Sequence, residues 1–124
     1  MRRLKLTLCL LAALGLSAVP VPAASLNRAC SVTGGSAQRL STVMTVCGWT
    51  GSYNLTELVI TNPDDAANDL YVGESDVSTV NGVRYRPGDS RHRRSTGSGD
   101  PIQATAAYLW VSSTQNVFIS ARSQ

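Results

Sequence analysis

Short runs of β-branched and aromatic residues, each closed by a turn signal, dominate this chain and restrict it to a strand-built fold. Arg39 to Cys47 (RLSTVMTVC) and Tyr53 to Thr61 (YNLTELVIT) are the longest early runs, and the second stops at Asn62-Pro63. Asp69 to Gly73 forms a shorter run around Leu70, Tyr71 and Val72. Val77 to Val80 leads into Asn81-Gly82, with Val83-Arg84-Tyr85 beyond. An Asn-Gly pair between extended segments predicts a hairpin on a type I′ turn, because both residues tolerate positive φ. Pro87-Gly88-Asp89 predicts a further turn, and Ser95 to Asp100 (STGSGD) a flexible loop. Ala104 to Ser112 (ATAAYLWVS) and Asn116 to Ala121 (NVFISA), joined by Ser113-Thr114-Gln115, predict a closing hairpin. Only Asp64 to Leu70 has the composition for a helical turn. The pattern predicts an all-β fold, a small antiparallel β-sandwich or barrel, preceded by an N-terminal signal peptide.

The signal peptide is expected over residues 1–23. Arg2, Arg3 and Lys5 make a basic opening, and Leu6 to Val19 carries no charge. That apolar run is shorter than the roughly 20 residues of a membrane span. Pro20 and Pro22 end it, and Val21-Pro22-Ala23 puts small residues where a signal peptidase cuts. Residues 24–124 then form a single β-rich domain, with no membrane span in the mature chain. The leader holds three of the eleven cations, leaving eight arginines against eight acids. Such a neutral domain is not built for specific or tight binding to nucleic acid. Cys30 and Cys47 remain after Cys9 is removed with the leader. Export into an oxidising compartment predicts a disulfide between them, which in the chain-entropy model stabilises by roughly 3 kcal/mol.

The most distinctive segment is Arg84 to Arg94 (RYRPGDSRHRR), which holds Arg84, Arg86, Arg91, His92, Arg93 and Arg94. On strands, Arg84 and Arg86 share one face, Arg91 and Arg93 share another, and His92 and Arg94 lie opposite the latter pair. Guanidinium forks bind carboxylate and phosphate bidentately, so this segment is the candidate anion-binding site. The same residues serve structure if they guard a sheet edge against strand addition, or if they pair with Asp64, Asp65, Asp69, Glu74 and Asp76. Those acids lack the ligand order of an EF-hand, so no metal is expected. No nucleophile elbow accompanies His92, so no catalytic residue and no cofactor are expected. Trp49 and Trp110 fit core or interface positions.

Residues 59 to 121 resemble small β-sandwich accessory proteins of tailed phages and prophages, the decoration and head- or tail-associated proteins. The resemblance rests on Leu70 to Gly73, Ser75 to Ser78, Asn81, Gly82, Pro87, Gly88 and Ser90, and on the closing pair of strands. It implies a capsid- or tail-associated role through protein partners or self-assembly, without catalysis. The leader and the cysteine pair set this chain apart from that pattern and favour export to the periplasm, the medium or a virion surface. The expectation is a non-enzymatic, exported structural or interaction domain. The alternative is a periplasmic or secreted module capturing an anionic ligand through Arg84 to Arg94.

Overall fold

The computed structural model describes residues 24–95 and 102–123. The expected leader and nearly all of the expected 95–100 loop lie outside them. The described chain is a small all-β sandwich of two antiparallel sheets with one short helix. Sheet A runs in the order β1 (Ser25–Val32), β9 (Gln115–Ser123), β3 (Asn54–Thr61), β6 (Ser90–Arg94), and β7 (Ile102–Gln103) pairs with the start of β3 beside β6. Sheet B runs in the order β2 (Gln38–Arg39), β8 (Tyr108–Val111), β4 (Leu70–Gly73), β5 (Val83–Tyr85). Helix α1 (Leu40–Val46) follows β2. Among the described residues, no helix is long and apolar enough to cross a membrane.

Alternation along the strands builds the core. Leu58 and Ile60 of β3, Val117, Ile119 and Ala121 of β9, and Leu26, Cys30 and Val32 of β1 point inward from sheet A. Leu70, Tyr85, Leu109 and Val111 answer from sheet B. Each fully buried Leu, Ile or Val contributes about 1.5–3 kcal/mol. A bulge between Leu55 and Glu57 shifts the phase of β3, so that Leu55 and Leu58 both face the core.

The expected strand over Arg39 to Cys47 is replaced by α1. Its β-branched residues favour extended backbone, but the apolar positions decide otherwise. Leu40, Val43 and Met44 are buried together at helical spacing. Gly48, at φ 104°, then closes the helix in a Schellman motif. Its N–H donates to the Thr45 carbonyl, and the Trp49 N–H donates to the Met44 carbonyl. This brings Cys47 to disulfide distance of Cys30 on β1, with Cα atoms 5.5 Å apart. Arg28, also on β1, donates from Nη1 to the Cys47 carbonyl at 3.0 Å.

The expected closing hairpin is also corrected. β8 lies in sheet B and β9 in sheet A, so the Ser112–Thr114 link crosses between sheets. Alternating residues satisfy either arrangement, because period 2 marks a buried face without naming its partner. The expected first arm of the Asn81-Gly82 hairpin, Val77 to Val80, is loop and not strand; β5 pairs instead with β4, Leu70 opposite Tyr85 and Val72 opposite Val83. The loop between them, residues 74–82, is longer than a type I′ turn. Neither Asn81 nor Gly82 has positive φ. The Asn81 side chain instead shapes the loop, accepting from the Ser78 N–H and donating to the Asp76 carbonyl. Gly82 is required for a different reason: a Cβ there would lie 2.7 Å from Val77 Cγ2.

Residues 62–69 hold turns and no helix. Buried Asn62 organises that segment. Its Nδ2 donates to the carbonyls of Asn68 and Tyr85, and its Oδ1 accepts from Gln115 Nε2. Asn68 is held again from Gln115, which accepts its N–H. The 86–89 turn then carries the chain from sheet B to sheet A, with Gly88 at φ 89° donating to the Asn62 carbonyl.

Candidate functional site

β5 and β6 are the outermost strands of their sheets on one flank of the sandwich. The Arg86–Asp89 turn joins them, closed by the Asp89 N–H donating to the Arg86 carbonyl. On β6 arginines occupy inner-face positions where the strands β3 and β9 of the same sheet place apolar residues. Register makes the placement definite: Arg91 lies opposite Ile60 and Arg93 opposite Leu58, both core residues. Arg91 and Arg93 therefore occupy the inner face of sheet A, and His92 and Arg94 the outer face.

The result is a groove of about 970 Å³ between the two sheet edges. This lies within the usual size range of ligand sites. Its floor is apolar, with Leu58, Val72 and Tyr85, and Ile102 and Ala106 close one end. Arg91 and Arg93 line it from β6, and Glu74 lines it from the loop after β4. The Arg91 guanidinium carbon sits 5.3 Å from the Tyr85 ring centroid. That stacking fixes the fork over the floor. Among the described residues, neither Arg91 nor Arg93 forms an ion pair. Burial pushes the Tyr85 phenol above its usual range, and the charges of Arg91 and Arg93 pull it part of the way back.

The six residues of the expected anion site are thus divided. Arg84 faces outward from sheet B and is consumed by Asp69, with Nε at 2.7 Å and Nη2 at 2.6 Å from one carboxylate oxygen. Arg86 lies past the end of β5, in the turn, so it does not share a strand face with Arg84. His92 Nε2 lies 3.0 Å from Glu57 Oε1 on the outer face of sheet A, and Arg94 lies 4.0 Å from the same oxygen. By register Arg91 and Arg93 take the inner face, and His92 and Arg94 also border the groove. The segment supplies both an edge with internal pairing and a pair of uncommitted cations.

Tyr85 is the functional residue that inspection of the arginines overlooks. The guanidinium over its ring comes from Arg91 on β6, not from its sequence neighbours Arg84 and Arg86, so the run Arg84-Tyr85-Arg86 carries no local sign of the contact. The groove end at Ile102 and Ala106 has no local signal either, since it arrives by long-range pairing of β7 with β3. Among the described residues, no group of three or more His, Cys, Asp or Glu side chains is placed to hold a metal ion. No family model, no curated protein and no solved structure matches the chain.

Proposed function

We propose that this domain is a non-enzymatic, exported interaction module that holds an anionic partner in the groove between β5 and β6. The observation carrying this reading is the pair Arg91 and Arg93. Both stand on an inner sheet face above an apolar floor, without a carboxylate partner among the described residues. Charges beside low-dielectric walls act more strongly than charges in open water. Two forks on alternate positions of one strand fit a carboxylate- or phosphate-bearing chain running along the groove.

Export is supported by the basic and apolar N-terminal pattern and by the cysteine pair at disulfide distance. The phage-protein resemblance supplies one setting for the same role, with the acidic surface of a neighbouring particle subunit as the anionic partner. A second reading is favoured by the position of β6. It is the outer strand of its sheet with all five residues exposed, and inward-pointing charge is a known guard against edge-to-edge pairing.

Arg91→Gln combined with Arg93→Gln separates the two. Inorganic polyphosphate and poly-glutamate, titrated by fluorescence anisotropy, should bind the wild type with an affinity that falls steeply with salt. The double variant should bind at least roughly tenfold more weakly, a loss of about 1.4 kcal/mol, and remain monomeric in sedimentation. Binding that persists unchanged in the double variant would sink the groove reading. Self-association of the variant without any loss of binding would establish the edge guard instead.

A further inference from the structure

The geometry points to a second site, independent of the groove, on the outer face of sheet B: a pocket for one ring of a neutral glycan, framed by Tyr71, Trp110, Asn68, Asp69, Thr79 and Ser112. Tyr71 and Trp110 are cross-strand partners on β4 and β8. Their neighbours Leu70, Leu109 and Val111 fill the core, so the two aromatics face outward. They meet edge to face, with ring centroids 5.9 Å apart and planes at 68°. This arrangement leaves two ring surfaces at an angle, forming a corner. The 74–82 loop bends back over the same face and brings Thr79 to it. The result is an open, shallow depression of about 290 Å³. That is at the small end of ligand sites and suits a single ring better than an extended molecule.

Polar groups at the rim specify the chemistry. Asp69 Oδ2 is held by Arg84, and Oδ1 has no partner among the described residues. The carboxylate thus keeps an acceptor while its charge is balanced. Asn68 Oδ1 accepts from the Ser112 hydroxyl, and its Nδ2 has no partner among the described residues. The backbone of Asn68 is tied to Asn62 and Gln115, so this amide is fixed in place before any ligand arrives. The Thr79 hydroxyl both donates and accepts, and the Ser112 oxygen, its hydrogen given to Asn68, adds an acceptor.

A fixed acceptor, a fixed donor, two hydroxyls and two aromatic faces match the two sides of a pyranose. Its hydroxyl edge is polar in both senses, and its C–H face is apolar and packs on aromatic rings. Balanced charge disfavours an ionic ligand, whose desolvation nothing in the pocket repays. Tyr108 continues the aromatic row on β8, two residues from Trp110 and under Arg39, whose Nε donates to the Tyr108 hydroxyl at 3.0 Å.

Affinity electrophoresis of residues 24–124 through gels containing dextran, mannan, xylan, hydroxyethyl cellulose or glycol chitosan-derived neutral chitin tests this. The expected result is retardation by at least one of these polymers, unchanged by added salt. Trp110→Ala should abolish the retardation or raise Kd about tenfold, the effect of losing roughly 1.4 kcal/mol of aromatic contact. Thr79→Trp plugs the pocket from an exposed loop position without touching the core, and should have the same effect where Trp110→Ala folds poorly. Arg91→Gln with Arg93→Gln should leave retardation intact, so failure of the groove reading and failure of this one are told apart. Migration unaffected by all five polymers, or retardation that survives Thr79→Trp, overturns the proposal.

Discussion

Sheet A ends in two edge strands, β1 and β6, and both put arginine on the inner face. On β1 it is Arg28, in phase with Leu26 and Cys30. On β6 it is Arg91 and Arg93. The first edge is covered: α1 lies beside it, Cys47 stands at disulfide distance, and Arg28 caps the helix by donating to the Cys47 carbonyl. The second edge is left open, and its arginines stack on Tyr85 or face the groove. An inward arginine at a sheet edge is therefore not a site by its type alone. Where a covering element presents carbonyls, the charge becomes part of the structure. Where none does, it remains available to a partner.

Opening the covered edge should have the largest effect. Cys30→Ala with Cys47→Ala is expected to lose about 3 kcal/mol in urea unfolding, by the loop-closure argument. Alkylation of the unreduced wild type should find neither thiol free. Gly48→Val puts a branched residue at φ 104°, with its Cβ 3.4 Å from the Arg28 fork. It should cost about 2 kcal/mol, the scale of single strained residues. The two edges are compared directly by removing their charges. Arg28→Gln should cost about 1 kcal/mol for the lost charged bond at a helix C-terminus. Arg91→Gln with Arg93→Gln should stay within about 0.5 kcal/mol of wild type. Equal costs at the two edges would break the distinction.

The smallest effect is in titration. Tyr85 has a folded-state pKa above its usual 10.0, chiefly through burial. Its contribution to stability is complete below pH 10.0 and is lost as pH climbs through the folded-state value, because the unfolded chain ionises first. Arg91 and Arg93 oppose that upward shift. Phenolate absorbance should therefore show Tyr85 titrating still higher in the double glutamine variant.

Strands with strict alternation were legible without coordinates. β3, β4 and β5 lie where Tyr53 to Thr61, Asp69 to Gly73 and Val83 to Tyr85 place them. So does the alternation of Arg91 and Arg93 against His92 and Arg94. α1 was obscured because Thr42, Val43, Thr45 and Val46 weigh towards strand. The spacing of Leu40, Val43 and Met44, with Gly48 beyond, was the contrary signal. β1 was missed altogether, since Asn27, Arg28 and Ala29 interrupt its apolar pattern and leave it exposed there. The Arg84–Asp69 pair is one of the internal pairings the acidic stretch suggested, whereas the contact of His92 and Arg94 with Glu57 is created by the pairing of β3 with β6 and has no trace in local order.

The pairing of β1 with β9, Ser25 opposite Arg122 through Val32 opposite Gln115, bears on how this domain comes into being. Among the described residues, β1, the first strand, is paired in sheet A with β9, the last, so that sheet A is completed late in synthesis. Topologies dominated by such distant pairings fold slowly. Once β9 docks, the two ends of the domain lie side by side. They could then be joined by a short linker and the chain reopened elsewhere, at the exposed 74–82 loop for instance, with both sheets retained.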